Sequence, residues 1–315
     1  MARPVRLWAG SAGPARRGTV EPGERAEAAM ADEVATIGYD RLAAHLAADT
    51  ATVGDLLRRT GLAQPVPTCP GWTMADLAAH VGRGHRWATL IVGSGATGPV
   101  PIDRAPVPDA GLDATGLAGW LADGAAGLVA AVRAAGPGTA VWTWSTDRTV
   151  GFWLRRMVHD LLIHRVDAEL AAGRVPVVAP DLAADGVADL LSSIAVLSAQ
   201  PESGVFTALR GPRRTLAFQA TDHDPGTGPA GPGGWWVECG PDGVTWRYRA
   251  AAGPVDDTGA PDVGVGPAGV PDVTLRAPAG DLLLILNRRL PVGGTGGEVT
   301  GDRTVLQWWL DGSVF

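Results

Sequence analysis

From about residue 32 to 205 the apolar positions recur three and four apart, the spacing of helices; beyond 205 they alternate in twos. "EVATIGYDRLAAHLAADTATVGDLLRRTGL" reads as a long first helix closed by Gly61. "TMADLAAHVGRGHRWATLIV" reads as a second, with Thr73 as N-cap and Asp76 at the third helical position, a capping box with Asp in place of Glu. A Pro/Gly-rich loop over 93–112 leads to a third helix, "LDATGLAGWLADGAAGLVAAVRAAG". A fourth runs from about 150 to 172, and a fifth, "PDLAADGVADLLSSIAVLSA", starts at Pro180. Four such helices suit an up-and-down bundle whose core can hold ligands.

The second part reads as α+β. "RTLAFQAT" alternates as a strand, and "WWVECGPDGVTWRYRA" as two strands joined at Pro-Asp-Gly. "DVTLRA" is a further strand, "AGDLLLILNRRL" a helix, "GEVTG" a short strand and "DRTVLQWWL" a last helix. The Gly/Pro-rich segments 222–234 and 251–271 read as loops. The expected domains are a disordered, Arg/Gly/Pro/Ala-rich extension over 1–30, a helical bundle over 31–205 and a small α+β domain over 206–315. Met30 is a candidate translational start.

Composition narrows the function classes. A net charge of −7 argues against nucleic acid as a partner. All 26 basic residues are arginine; with the wealth of Ala, Gly, Pro and Val this points to a GC-rich genome. The two cysteines, Cys69 and Cys239, form neither a CxxC pair nor a disulfide framework, which suits a reducing cytoplasm. By eye no apolar run approaches the roughly 20 residues of a membrane span. The N-terminus has no apolar segment of the signal-peptide kind. "GVGPAG" at 264–269 matches G-x-G-x-x-G but has no strand before it, no helix after it and a proline inside it, so it is a loop.

The chemistry-bearing residues concentrate in "HDLLIHRVDAE", residues 159–169. Asp160 and His164 lie four apart and share a helix face; His159 does not. Two readings stand. One is a surface ladder of ion pairs, Arg156 with Asp160 and Arg165 with Glu169. The other is one carboxylate and one imidazole offered to a divalent metal, which needs a third ligand from elsewhere. His80 falls on the apolar stripe of the second helix with Leu77 and Trp87, as a hydrogen-bonded core histidine or as a ligand. Cys69, in "TCPGW" ahead of that helix, is a packed small residue or a thiol activated by the helix N-terminus. Cys239 reads as core, and His45 and His223 as surface or packing residues.

"TCPGWTMADLAAHVGRGHRWA" (68–88) and "RRMVHDLLIHRVDAELAAGRVPVVAPDLAADGVADLL" (155–191) resemble the second, and the fourth and fifth, helices of the mycothiol-dependent maleylpyruvate isomerase family, a branch of the DinB-like metal-binding bundles. "APAGDLLLILNRRLPVGGTGGEVTGD" (277–302) is similar to that family's small α+β, sterol-carrier-like C-terminal domain. The resemblance spans nearly all of 32–315 and implies a fold that is mainly α plus α+β. It implies a metal triad of His80, Asp160 and His164, with Asp160 standing where the family pattern has Glu. It further implies zinc, mycothiol as thiol cosubstrate, and an isomerase or thiol transferase acting on a small electrophile through a metal-bound thiolate. Arg156, as a catalytic residue, and Arg165, as a cofactor-binding one, are candidates to hold a carboxylate of thiol or substrate, and Arg288 and Arg289 of the C-terminal domain are catalytic candidates to reach across the cleft; the alternative for all four is solvated surface charge. An actinobacterial source, a cytoplasmic location and a monomer or homodimer fit the same reading. The alternative is a binding or regulatory module whose metal is structural or absent.

Overall fold

The computed structural model describes residues 37–200, 202, 204–222, 234–249, 269–294 and 297–314. The expected extension over 1–30, the start at Met30, His223 and all but Gly269 of "GVGPAG" lie outside the described residues. The chain forms two compact units, Gly38–Val177 and, from Val178 on, the remainder.

The first unit is helical. Helices α1 (Tyr39–Thr60), α2 (Met74–Gly93), α3 (Ala114–Ala135) and α4 (Val150–Ala171) pack on one another around Leu46, Val53, Leu57, Leu77, Leu121, Leu128, Trp153 and Leu161, all fully buried. Each start and stop has a local cause. The Thr73 amide donates to Asp76 Oδ2 at 2.9 Å and the Asp76 amide to Thr73 Oγ1 at 3.3 Å, closing the expected capping box. Asp113 caps α3 through the Gly116 amide. Gly61 ends α1 at a positive φ of 85°.

Helix α2 meets α3 where Gly82 leaves room for the Trp120 ring. Arg86 then lies over that ring, 3.8 Å from its centroid, and donates to the Trp120 carbonyl at 2.7 Å. Helix α3 is, by length and composition, apolar enough to cross a bilayer, because small residues between its leucines and valines keep its mean hydropathy high without one continuous run of large apolar side chains. Its apolar side, through Leu117, Leu121, Leu128 and Val132, is buried in the bundle.

Helix α4 is buried on nearly every side and still carries Asp160, Arg165, Asp167 and Glu169 at under a tenth exposure. Charges so placed must be paired. One set faces α1. Arg165 Nε stands 3.1 Å from Asp49, its Nη1 donates to Glu169 Oε2 at 2.7 Å, and its Nη2 donates to the Val177 carbonyl at 3.1 Å. The ladder expected at Arg165 and Glu169 therefore exists, buried rather than on the surface.

The second unit opens with helix α5 (Pro180–Ser198), which carries proline in its first turn as expected. The reading that grouped this helix with the bundle differs from the observed division, which falls at 177/178 instead of 205/206. The reason is packing: α5 lies on helix α6 (Ala279–Leu286) and on strand β3. The mixed sheet runs β3–β2–β1–β4–β5, from β1 (Arg214–Ala220), β2 (Gly234–Gly240), β3 (Gly243–Arg249), β4 (Val273–Ala277) and β5 (Glu298–Gly301). Only the β1–β4 pair is parallel. The β2–β3 turn falls at the expected Pro-Asp-Gly; Gly243 has φ 123°, and its missing Cβ lets Ser198 Oγ reach the Val244 amide at 2.9 Å. Helix α7 (Arg303–Gly312) buries Trp309 near Phe218. The architecture is thus mostly helical with an α+β second unit.

Candidate metal centre

All the residues that converge belong to the first unit. Helix α2 supplies His80, and α4 supplies Asp160 and His164 from one face. One donor atom from each lies within 4.8 Å of the other two. His80 Nε2 stands 3.9 Å from Asp160 Oδ2, beyond hydrogen-bond length. Donors around a tetrahedral zinc at its usual bond lengths are roughly 3.4 Å apart. A gap slightly wider than that, between two imidazoles and a carboxylate, is one that a divalent ion would close. The donor set fits such an ion. His80 keeps 24% of its side chain exposed, so the set opens to solvent on that side.

Three neighbours complete the group. Arg156 Nη2 lies 3.4 Å from Asp160 Oδ1, so the expected Arg156–Asp160 pair coexists with the convergence of the histidines. The Trp72 indole stacks on His164 at 5.7 Å and tilts against His80 at 4.9 Å. Asp167, wholly buried, accepts from Thr68 Oγ1 at 2.6 Å, from Cys69 Sγ at 3.2 Å and from His164 Nδ1 at 3.0 Å.

The electrostatics separate the two imidazoles. Burial, then the charge of His164, lowers the His80 pKa to about 4, against the pull of Asp160. His80 is therefore neutral and able to ligate near pH 7. Burial works against a charged His164 too. It is outweighed by hydrogen bonds to Asp167 and Cys69 and by the charge of Asp160, which raise its pKa to about 10. Without a cation His164 holds a proton, which a metal would displace. Burial also opposes the Asp160 carboxylate, yet His164, His80 and Arg156 together hold its pKa below the ordinary value.

Of the residues singled out in the sequence, His80, Asp160, His164 and Arg156 meet here. Arg165 does not: it faces Asp49, Glu169 and the Val177 carbonyl, away from the set of three donors. Arg288 and Arg289 belong to the second unit. Arg288, at a positive φ of 61°, donates to the Leu310 carbonyl, and Arg289 donates to the Asn287 carbonyl at 2.7 Å. Cys239 is core, its thiol pushed up to about 12 by burial. Thr68, Trp72 and Asp167 had gone unassigned. The only sequence signal for Asp167 was its position three after His164, on the same helix face.

The family model for the mycothiol maleylpyruvate isomerase N-terminal domain matches residues 43–169. No curated relative matches the chain. Among solved structures, the chain is similar to a crystal structure of a histidine-to-alanine mutant of the mycothiol-dependent maleylpyruvate isomerase. That match has 15% identity and a TM-score of 0.49, and covers 83% of this chain and 93% of the other.

Proposed function

Residues 43–169 form a domain of the mycothiol maleylpyruvate isomerase N-terminal family, and from that premise we propose that the chain is a metal-dependent, mycothiol-using enzyme of isomerase or thiol-transferase type. The observation that carries the reading is the convergence of His80, Asp160 and His164. Those three residues would hold a divalent cation, with zinc the best match to two imidazoles and a carboxylate. When bound, such a cation lowers the pKa of a thiol at its open position, so that the nucleophilic thiolate is present near neutral pH.

The chain's own residues do the rest. Asp160 is the anionic ligand and is held by Arg156, which is also the candidate to hold a carboxylate on thiol or substrate. Trp72 forms an aromatic wall beside both imidazoles and keeps water from one side of the site. Arg288 and Arg289 of the second unit stay candidates to hold a carboxylate of the reacting partner; each donates one bond to a nearby carbonyl. The substrate class is a small electrophile able to accept a thiolate at carbon. Cys69 and Cys239, which form no disulfide with each other, suit a reducing cytoplasm.

One observation favours a second reading, a binding module with a structural metal. Asp160 is a methylene shorter than the Glu of the family pattern, and it stands 3.9 Å from His80. Metal analysis of untagged protein tests the site itself. His80→Ala and His164→Ala are expected to lose bound zinc, and zinc content equal to wild type in both would sink the proposal. Incubation with mycothiol and a panel of electrophiles then separates the two readings. Turnover that chelation abolishes marks the enzyme; tight binding without turnover marks the module.

A further inference from the structure

Among the described residues two groups offer donors at metal-binding distance, and they share His164 of α4: His80/Asp160/His164 and Cys69/His164/Asp167. The imidazole has two nitrogens, and the question is which of them faces the ion. His164 Nδ1 lies 3.0 Å from Asp167 Oδ2, and Cys69 Sγ lies 3.2 Å from the same oxygen. These are hydrogen-bond separations. Donors sharing one tetrahedral ion stand roughly 3.4 Å apart or more, so no cation fits between them. Asp167 is wholly buried, and its other oxygen accepts from Thr68 Oγ1 at 2.6 Å. A buried carboxylate with three donors cannot turn away without stranding its charge.

We propose that Asp167 is the positioning residue of the metal centre: it accepts the hydrogen bond that His164 Nδ1–H donates, fixes the ring, and leaves Nε2 as the ligand atom facing His80 and Asp160. The inference rests on the functional reading above only for the presence of the metal. Thr68 and Cys69, in the segment ahead of α2, hold Asp167 in turn. The "TC" before the helix thus braces the centre, both residues through the Asp167 carboxylate and Cys69 also by a hydrogen bond with His164. Cys69 is accordingly neither a ligand nor a passive filler. Its thiol is a donor in the shell that sets the imidazole.

The test uses the untagged full chain, with zinc affinity from chelator competition and visible spectra of the cobalt-substituted protein. Asp167→Ala is expected to weaken zinc binding roughly 10–100-fold, and Asp167→Asn less, because the amide oxygen still accepts from Nδ1. Both should shift the cobalt d–d bands, which a purely structural role would leave in place. Cys69→Ala should change affinity by less than about threefold and leave a spectrum with no sulfur-to-metal charge transfer. The proposal is overturned if Asp167→Ala keeps wild-type affinity and bands. It is equally overturned if Cys69→Ala removes a charge-transfer band and weakens binding as much as His164→Ala. Should Asp167→Ala not fold, Asp167→Asn with wild-type affinity and bands overturns it. Loss of zinc in His80→Ala and His164→Ala beside unaffected Asp167 variants removes this inference alone. Zinc retained in those two histidine variants removes the functional reading instead.

Discussion

His85 sits one turn beyond the candidate ligand His80, 1% exposed, with neither ring nitrogen hydrogen-bonded. Burial lowers its pKa to about 4, partly offset by Asp160. Above pH 6.5 the ring is neutral in folded and unfolded chains and adds nothing to the pH dependence. As pH falls below 6.5 the unfolded chain gains a proton that the folded one refuses until about pH 4, so stability is lost across that window. Between pH 7.5 and 5 the loss amounts to about 2 kcal/mol. Urea denaturation of zinc-free wild type and His85→Leu at both pH values measures it. The variant should lose about 2 kcal/mol less than wild type on acidification, and equal losses would refute the assignment. At this scale the sequence was partly legible. Spacing put Asp160 and His164 on one face, and it offered an ion-pair ladder and a metal set as rivals. The structure brings both sets of side chains together: Arg156 pairs with Asp160 Oδ1, while His80 stands nearer Oδ2. The bond from Thr68 and Cys69 to Asp167 was not legible, since nothing in local spacing reports a contact across 98 or 99 positions.

The helices were well marked where their ends are chemical. The Thr73–Asp76 capping box, Pro180 and Gly61 are local signals, and each acts where it was read. Helix contacts leave a weaker trace. Gly82, an unremarkable glycine in a helical pattern, is the point where α2 admits the Trp120 ring. A Cβ there would lie inside the ring's volume, well under 3.0 Å from its atoms. Gly82→Ala therefore sets an overpacking cost of about 1–3 kcal/mol against a gain in helix propensity of about 1 kcal/mol. We expect a net loss of up to about 2 kcal/mol, seen as a lower urea midpoint. Gly82→Ala with Trp120→Leu should recover part of it, because the smaller side chain removes the clash and the two changes are coupled. Additive losses in the double variant would show that Trp120 is not the obstacle.

At the scale of the molecule the classes of structure were legible, while the fifth helix, expected with the bundle, packs in the second unit. An apolar stripe on a helix says that something covers it, not what. The fifth helix has such a stripe, and strand β3 with helix α6 cover it. The division has a consequence for metal linkage. Every candidate ligand, together with Asp167 and Arg156, lies between residues 38 and 177. A ligand that binds only the folded form adds about 2.7 kcal/mol at a hundredfold excess over its Kd. That stabilisation acts on whichever cooperative unit contains the ligands. Hydrogen exchange followed by mass spectrometry, with zinc and after chelation, locates it. Chelation should speed exchange in peptides from α2 and α4 and leave those from β1, β2 and β4 unchanged. Loss of protection spread evenly through the sheet would mean that the two units unfold as one and that the metal holds them both.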